Sequence, residues 1–202
     1  MEISKATLIR LPQYLRILKK LRKENVETIS STIIAEKLKL NSIQVRKDLA
    51  LVSHEEGKPG IGFNVEELIK DLEKVLGLDN VSDAIIVGAG RLGQALLNYP
   101  GFEGNFNIVM AFDIDEEKCN GKNIFNINDI KEITKEKNIK IGIITVQKES
   151  AQQVCDLLIE CGIKAIWNFA PITLNVPEDV IIKNEDLSAS LMILSKKLHE
   201  RK

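Results

Sequence analysis

The sequence predicts an α/β fold in three parts, because three patterns follow one another along its 202 residues. The first third carries short helical patterns followed by a Gly- and Pro-rich segment. A strand-like run then breaks into the triplet Gly88-x-Gly90-x-x-Gly93, and apolar strands alternate with helices up to residue 184. An amphipathic segment follows. These patterns are typical of a winged helix-turn-helix domain, a Rossmann dinucleotide-binding domain and a terminal helix, with expected bounds of 1–78, 79–184 and 185–202.

The first two predicted helices are short amphipathic segments. One runs from Ala6 to Lys23, and Pro12 within it predicts a kink or a start one turn later. Ser31 is the predicted N-cap of the second, from Thr32 to Leu38. The side chains expected to be buried in these helices are Leu8, Leu11, Leu15, Leu18 and Leu21 in the first, and Ile33, Ile34 and Leu38 in the second.

A third helix, Ser42 to Val52, follows a tight turn and has Asn41 as its predicted N-cap. Its inward residues are expected to be Ile43, Leu49 and Val52, and its outward residues Ser42, Gln44, Arg46 and Lys47. Two short helices with exposed polar residues on the second are typical of a helix-turn-helix. Gln and Arg can make bidentate contacts with adenine and guanine in the major groove. The alternative is a solvated face on an ordinary three-helix unit.

The segment from His54 to Phe63 contains too much Gly and Pro for a helix and is typical of a β-hairpin wing. We expect Lys58 to contact a DNA phosphate or the minor groove, with Gly60 and Phe63 completing the predicted DNA-binding set. His54 is expected to be solvated rather than a metal ligand. Asn64 is the predicted N-cap of a helix that runs from Val65 to Leu76 and ends at Gly77.

The glycine triplet lies between a strand-like run that begins at Asp83 and a helical pattern from Gln94 to Asn98. Gly88 provides a tight turn, Gly90 lets the backbone approach a pyrophosphate, and Gly93 allows close helix–strand packing. The phosphates would lie at the helix N-terminus. The predicted site therefore includes the intervening residues Ala89, Arg91 and Leu92. A strand–turn–helix that binds nothing is the alternative.

An acidic residue, Asp113, lies twenty residues after Gly93 at the end of the next strand, Asn107 to Asp113. A carboxylate there accepts hydrogen bonds from the adenosine ribose and repels a 2′-phosphate, which favours NAD(H) over NADP(H). Ile114 and Lys118 follow it in the predicted site.

Further elements complete a predicted six-strand sheet: strands at 122–125, 139–146, 165–171 and 180–183, a helix capped by Asn128 that runs to Lys137, and a helix from Glu149 to Cys161 closed by Gly162. Ligands bind at the carboxyl edge of such sheets. Thr145, Val146 and Asn168 are therefore predicted cofactor contacts, with Asn168 hydrogen-bonding the nicotinamide carboxamide. Tyr99 is the remaining candidate, and alternation assigns Trp167 to the core.

The net charge of −1 conceals an asymmetry. Residues 1–64 hold twelve Lys and Arg against seven Asp and Glu, whereas residues 65–202 hold sixteen against twenty-two. The basic front end suggests a polyanionic partner. Neither a membrane span nor a signal peptide is predicted, so we expect a cytoplasmic protein. The cysteines Cys119, Cys155 and Cys161 show neither metal-ligand spacing nor a disulfide framework, and no metal site is predicted; Cys155 and Cys161 are expected to pack in a helix.

The last segment, Asn184 to Lys202, has Leu187, Leu191, Leu194 and Leu198 on one stripe. Such a stripe needs a partner surface, which could be the helix's own sheet or a second subunit.

The chain resembles the Rex family of bacterial redox-sensing transcriptional repressors over essentially its whole length. The segments that carry the resemblance are Arg10-Leu-Pro-Gln-Tyr-Leu-Arg16, Gln44-Val-Arg-Lys-Asp-Leu49, Gly57-Lys-Pro-Gly-Ile-Gly-Phe63, Gly88-Ala-Gly-Arg-Leu-Gly93, Tyr99-Pro-Gly-Phe102, Phe112-Asp-Ile-Asp115, Gly162-Ile-Lys-Ala-Ile-Trp-Asn-Phe-Ala-Pro171 and Asn184-Glu-Asp-Leu187. The chain departs from the family between Ser53 and Gly57, where a longer stretch is usual, and at Phe63, where Tyr is common.

The resemblance implies a homodimer that exchanges its C-terminal helices and binds an inverted-repeat DNA operator through two winged-helix domains. It implies NADH and NAD+ as ligands, with release from DNA when NADH binds. It also implies a switch in which Asp186 pairs with Arg16 in the DNA-competent state and with Tyr99 after NADH binds.

Two other functions are compatible with a dinucleotide site. An NAD-dependent dehydrogenase would need a proton donor or acceptor near the nicotinamide. The two histidines, His54 and His199, lie outside the predicted Rossmann domain, which leaves Tyr99 as the candidate. The predicted Rossmann domain also leaves no room for a substrate domain, so we expect that the protein is not an enzyme. A nucleotide-sensing regulatory subunit could instead use its basic front end to bind protein.

Overall fold

The computed structural model describes residues 3–54, 57, 58, 60–78, 82–102, 106–135 and 137–200, and the chain divides into two compact units, Met1–Asn80 and Val81–Lys202. The first unit contains α1 (Lys5–Lys23), β1 (Thr28–Ile29), α2 (Ser31–Leu38), α3 (Ser42–Val52), β2 (Phe63–Asn64) and α4 (Val65–Val75). The second contains β3 (Ser82–Val87), α5 (Arg91–Leu97), β4 (Phe106–Asp113), β5 (Ile124–Asn126), α6 (Ile130–Lys135), β6 (Ile141–Ile144), α7 (Lys148–Glu160), β7 (Ala165–Asn168), β8 (Ile181–Asn184) and α8 (Leu187–His199).

Helix α1 begins at Lys5, where the Ser4 hydroxyl accepts the N–H of Thr7 at 3.2 Å. Pro12 lies inside the helix, so the predicted late start is wrong. Buried side chains flank the proline on both sides, and their packing offsets the one backbone hydrogen bond that it removes. The buried residues of the helix are Thr7, Leu11, Tyr14, Leu15, Leu18 and Leu21; Leu8, which was expected to be buried, is exposed.

Helices α2 and α3 correct three sequence-based assignments. The N-cap of α2 is Ser30 rather than Ser31, and Ile33 is exposed whereas Ile34 is buried. Helix α3 has the predicted bounds and the predicted Asn41 cap. Ile43, however, is 55% exposed, so its inward assignment is wrong. Val45 is the buried residue of this turn instead, on a helix that packs against α2 and α4.

The predicted wing is a short hairpin in the part that the structure describes; Glu55, Glu56 and Pro59 lie outside the described residues. Lys58 and Gly62 exchange two backbone hydrogen bonds of 2.9 Å. Strand β2 then pairs antiparallel with β1, and Phe63 lies opposite Ile29. Asn64 accepts the N–H of Glu67 at 3.0 Å and begins α4, as predicted.

Six parallel strands form the sheet of the second unit in the order β5-β4-β3-β6-β7-β8, which confirms the predicted six-strand sheet. Strand order reverses between β3 and β6, and this is where open α/β sheets bind ligands. One core lies on the face covered by α6 and α7, and a smaller one on the face covered by α5. Cys155 is buried in the larger core, and burial raises the pKa of its thiol to about 11.

Helix boundaries differ locally from the predicted ones. Helix α5 begins at Arg91, three residues before the predicted start. Asn128 is not a helix cap: Asn126 caps a short 3-10 turn, Ile127–Asp129, and α6 follows at Ile130. Both differences arise where a tight turn runs directly into a helix, which periodicity alone does not resolve.

Helix α8 begins at Leu187, later than the predicted terminal segment, because Asn184 ends β8 and Asp186 is the N-cap of the helix. No residue of α8 is buried. Six apolar side chains on it are 59–68% exposed: Leu187, Leu191, Met192, Ile193, Leu194 and Leu198. Packing of this helix on its own sheet is therefore not observed. No described helix is long and apolar enough to span a bilayer.

Candidate functional site

A tight turn that contains three glycines joins β3 to α5. Gly88 has a φ of 105°, and a Cβ there would lie 2.9 Å from the carbonyl of Thr145. A Cβ on Gly93 would lie only 1.9 Å from the Gly88 oxygen. Thr145 supports the turn, since its hydroxyl donates to the Gly88 oxygen at 2.7 Å. Glycine is therefore required at 88 and 93 by the protein's own backbone, before any ligand is considered.

Gly90 differs from the other two glycines because, apart from its own chain neighbours, no atom of the described residues lies within 4 Å of its ideal Cβ position. It is the N-cap of α5, and no side chain caps that end of the helix. The first-turn N–H groups of Arg91, Leu92 and Gly93 have no acceptor within the helix, as in every helix N-terminus. This open end is suited to an anion.

Asp113, at the carboxyl end of β4, is only 7% exposed. One carboxylate oxygen accepts the N–H of Ala89 at 2.7 Å, and the other accepts the N–H of Asp115 at 3.0 Å. Lys118 lies 3.3 Å from both oxygens, and its hydrogen bond to Asp113 raises the pKa of the lysine. Asp113 thus ties the strand end to the glycine turn. Ala89, Asp115 and Lys118 together use the four lone-pair sites of the carboxylate, so a ligand hydroxyl would bind Asp113 in place of a Lys118 contact.

A cleft of about 890 Å³ opens at this edge, within the range of sites that hold small molecules. The predicted residues that line it are Gly88, Gly90, Asp113, Ile114, Lys118, Thr145 and Val146. Ala89 is buried, and its N–H is used by Asp113. Arg91 and Leu92 are exposed on the first turn of α5.

The predicted contact between Asn168 and a nicotinamide carboxamide is wrong for this structure. The Asn168 side chain is 0% exposed. Its amide nitrogen donates to the oxygens of Ala170, Ile172 and Asn184, and its oxygen accepts the N–H of Ala170. These bonds satisfy the amide within the protein, so Asn168 fixes the loop that follows β7 instead of facing a ligand.

Tyr99 lies outside the cleft, on the loop after α5. It is exposed, and its ring packs edge-on against Phe102 with centroids 4.9 Å apart. Phe102 meets Trp167 in the same manner at 6.1 Å. Trp167 was assigned to the core but is only half-buried against the smaller core, and its indole N–H donates to Glu185 at 3.1 Å. Residues 103–105 of this loop lie outside the described residues.

Sequence reasoning missed the opposite wall of the cleft, which comes from α6, α7 and the turns before them. These residues are Ile127, Asn128, Lys131, Gln147, Ser150, Gln153, Val154 and Leu157. They form no spaced motif. Of these residues, only Gln147 could have been predicted from the sequence, because it directly follows a core strand at the carboxyl edge of the sheet.

The outward face of α3 carries the predicted polar set in exposed positions: Ser42, Gln44, Arg46 and Lys47. Lys58 and Gly60 of the wing are exposed as well. A depression of about 570 Å³ between α3 and the wing is lined by Arg46, Lys58 and the serines that begin α2. Phe63 is half-buried, with its ring 2.8 Å from the ideal Cβ position of Gly57, so its main role is to hold the wing against the core.

A buried carboxylate on the inner face of α3, Asp48, was also missed. It accepts both Nε (2.6 Å) and Nη2 (2.9 Å) of Arg10, the Tyr14 hydroxyl (2.7 Å) and the Gln44 amide (2.9 Å). Burial raises the pKa of this carboxyl, but the hydrogen bonds from Arg10, Tyr14 and Gln44 outweigh burial and lower it to about 2. The sequence did indicate part of this cluster, because the four-residue spacing of Arg10 and Tyr14 puts both side chains on one face of α1.

The three residues of the expected switch have separate surroundings. Arg16 is exposed on α1. Asp186 is the N-cap of α8, where it accepts the N–H groups of Ser188 and Ala189 and the Ser188 hydroxyl. The Ser188 hydroxyl is the main cause of its lowered pKa. Among the described residues, no cluster of His, Cys, Asp and Glu could hold a metal ion.

Comparisons with known proteins agree with both parts of this site. The family model described as "Putative DNA-binding protein N-terminus" matches residues 2–50, and the "CoA binding domain" model matches residues 79–172. The redox-sensing transcriptional repressor Rex of Thermoanaerobacter pseudethanolicus is 43% identical over 98% of this chain and 91% of its own length. Rex of Syntrophomonas wolfei is 45% identical over 96% of this chain and 94% of its own.

Solved structures give the same result. RSP, a Rex-family repressor, in complex with β-NAD+ and operator DNA is 42% identical, covers 100% of this chain and 94% of its own, and has a TM-score of 0.89. RSP in complex with β-NADH is 41% identical, with the same 100% coverage of this chain, 96% of its own and a TM-score of 0.83. With such identity over nearly its whole length, the chain belongs to the Rex family of redox-sensing transcriptional repressors.

Proposed function

We propose that this protein is a transcriptional repressor that binds an inverted-repeat operator as a homodimer and leaves the DNA when NADH binds. The observation that carries the proposal is the hydrogen bond that joins the Gly88–Gly93 turn to Asp113 at the edge of the cleft. The other unit of the same chain carries α3, a helix with an exposed polar face. The two RSP complexes, one with NAD+ and operator DNA and one with NADH, support both halves of it.

In the proposed nucleotide site, the pyrophosphate lies over Gly90 and the N-terminus of α5. The backbone there is open, and the helix dipole favours negative charge. Asp113 accepts a ribose hydroxyl, and Ile114 and Lys118 flank the adenosine end. A 2′-phosphate would face the Asp113 carboxylate, which favours NADH and NAD+ over their phosphorylated forms.

The redox state acts through the nicotinamide. Reduction removes the positive charge of the ring, and a neutral ring enters an apolar environment at a lower desolvation cost than a charged one. Thr145 and Val146 lie at the carboxyl edge of the central strand β6, where that ring would lie. NADH is therefore the form that favours closure around the ring.

In the proposed DNA complex, α3 enters the major groove and the wing contacts the backbone. Arg46 and Gln44 read base edges, with Ser42 and Lys47 beside them. Lys58 contacts a phosphate, while Gly60, with a φ of 78°, shapes the tip of the hairpin. The basic excess of residues 1–64 adds a sequence-independent attraction to DNA.

The exposed apolar face of α8 supports the proposed homodimer. An isolated helix with six apolar side chains in water is unfavourable, and exchange of α8 between two subunits would bury them. In such a dimer, Asp186 at the base of α8 would meet groups of the partner subunit. The proposed switch pairs Asp186 with Arg16 in the DNA-bound state and with Tyr99 after NADH binds.

The two Asp186 pairings can bias the equilibrium between the DNA-bound state and the NADH-bound state, but they cannot drive it alone. A shift from 1:99 to 99:1 requires about 5.5 kcal/mol of differential binding. An exposed ion pair contributes at most about 1 kcal/mol. The larger share must come from closure around the nicotinamide.

The test is a titration of a preformed protein–DNA complex, followed by fluorescence anisotropy. Inverted-repeat duplexes would first be selected from a random pool, and a duplex with one half-site scrambled would serve as the control. We expect NADH to release the selected duplex and NAD+ not to do so. Failure to select any duplex would favour a regulatory subunit that binds protein, and release by NAD+ and NADH at equal concentrations would contradict redox sensing.

A further inference from the structure

Asp48 lies on the inner face of α3, one helical turn after Gln44. Asp48 is fully buried, whereas Gln44 is exposed. The Gln44 amide nitrogen nevertheless donates to Oδ1 of Asp48 at 2.9 Å. A residue of the proposed DNA-reading face is therefore hydrogen-bonded to the interior of its own domain.

The Asp48 carboxylate is itself fixed from the opposite side by α1. Arg10 binds both of its oxygens, through Nε to Oδ2 and through Nη2 to Oδ1. Tyr14 adds a bond to Oδ2, and Thr7 a longer one to Oδ1 at 3.3 Å. Such a bidentate arginine pair defines both the position and the plane of the carboxylate. The orientation of Oδ1 toward Gln44 is thus determined by residues about forty positions away in sequence.

This contact decides which way the Gln44 amide faces. An ionised carboxylate only accepts hydrogen bonds, so the NH₂ group of Gln44 must face Asp48. Its second N–H and its carbonyl oxygen remain available. Adenine in the major groove offers the complementary pair, an N7 acceptor and an N6 donor. The Gln44 side chain therefore presents one donor and one acceptor in a fixed order before any DNA is bound.

We propose that Asp48 is a positioning residue for sequence readout, which holds the Gln44 amide in the orientation that recognises one base of the operator. This inference rests on the proposed DNA-binding function. Asp48 does not touch DNA; it acts through Gln44. A side chain ordered in advance avoids the loss of conformational freedom on binding, which corresponds to about 2- to 10-fold in affinity.

The test compares variants on a series of duplexes that differ at single base pairs of the selected operator. Gln44→Ala should abolish discrimination at one base pair. Asp48→Asn replaces one of the two accepting oxygens by an NH₂ group, which cannot accept the bonds that both oxygens now accept. It should weaken discrimination at that same base pair by about 2- to 10-fold. Neither change should alter affinity for nonspecific DNA. In the Gln44→Ala background, Asp48→Asn should cause no further change in base preference, because the two residues act as one unit.

Tyr14→Phe is the matched control. It removes one hydrogen bond from Oδ2 of Asp48 but leaves Oδ1 and its bond to Gln44 in place. We expect it to lower the free energy of unfolding without changing base preference. If Asp48→Asn instead weakened binding to every duplex by the same factor, as a purely structural residue would, the inference would be wrong.

A second measurement on the unaltered protein covers the case in which Asp48→Asn does not fold. The motion of glutamine side-chain amides can be measured by NMR relaxation in the free protein. We expect the Gln44 amide to be more restricted than that of Gln13, an exposed glutamine on α1. Equal mobility of the two amides would overturn the inference. If the wild type discriminated among duplexes while Asp48→Asn retained its full preference, this inference alone would fail; a wild type that bound no duplex would refute the proposed function as well.

Discussion

Replacing Gly93 or Gly90 by alanine adds the same methyl group at two points three residues apart, and we expect different outcomes. A Cβ on Gly93 would lie 1.9 Å from the Gly88 oxygen. An ordinary C···O contact is about 3.3 Å, so the turn would have to move by about 1.4 Å. The methyl group cannot rotate away, because its position is set by the backbone.

That movement disrupts two hydrogen bonds of the turn. The Thr145 hydroxyl lies 2.7 Å from the Gly88 oxygen, and the Gly88 N–H lies 2.8 Å from the Phe112 oxygen. Each is worth about 1 kcal/mol, and backbone strain adds to their loss. We expect Gly93→Ala to reduce the free energy of unfolding by about 2–4 kcal/mol, which corresponds to a fall in Tm of roughly 5 to 15 °C.

Gly90→Ala should leave stability almost unchanged, because the added Cβ meets no protein atom and the φ of −72° suits alanine. NADH affinity should nevertheless fall at least about tenfold, since the methyl group occupies the space where the pyrophosphate approaches the backbone. Thermal unfolding without nucleotide and calorimetry with NADH measure the two effects separately. NADH binding by Gly90→Ala at wild-type affinity would refute the proposed phosphate position, and an unchanged Tm for Gly93→Ala would refute the packing argument.

Four further outcomes are expected. Arg46→Ala should weaken operator binding by about 1–3 kcal/mol, whereas Lys58→Ala should weaken specific and nonspecific binding alike and flatten the salt dependence; anisotropy at several salt concentrations checks both. Asp113→Ala should narrow the gap between NADH and NADPH affinity by roughly 1–3 kcal/mol in calorimetry, and a wild type that binds both equally would contradict the ribose assignment. The lowered pKa of Asp48 contributes about 2 kcal/mol of stability above pH 4, and this contribution should be lost as the pH falls toward 2; urea unfolding of wild type and Asp48→Asn across that range measures it. Asp186→Ala should keep NADH affinity within about tenfold of wild type but weaken NADH-driven release of DNA, and unchanged release would remove Asp186 from the switch.

Local patterns were enough to predict the order of the elements. The six strands, the Asn41 and Asn64 caps and the glycine turn depend on neighbouring residues, because turn geometry and capping use bonds within a few positions. The spacing from Gly93 to Asp113 likewise follows from one helix and one strand of standard length. Seven of the predicted nucleotide residues line one cleft for this reason.

Only the tertiary structure decided which polar side chains are available to a ligand. Asn168 occupies the predicted strand end, but bonds to Ala170, Ile172 and Asn184 satisfy its amide. Asp48 receives its partner Arg10 from 38 positions away. A side chain's hydrogen-bonding partners depend on which elements pack together, and periodicity within one element does not contain that information.

The terminal helix and the glycine turn show the same difference between what the sequence predicts and what the packing decides. The sequence predicted a leucine stripe on the terminal helix and left its partner open, and the structure shows that the chain's own sheet does not cover it. The triplet pattern indicated three glycines, but the packing around them separates two roles. Gly88 and Gly93 are required by contacts with Thr145 and with each other, while Gly90 faces open space. The sequence by itself thus determined where the turn lies, and the folded backbone decided which of its glycines serves the protein and which is left for a ligand.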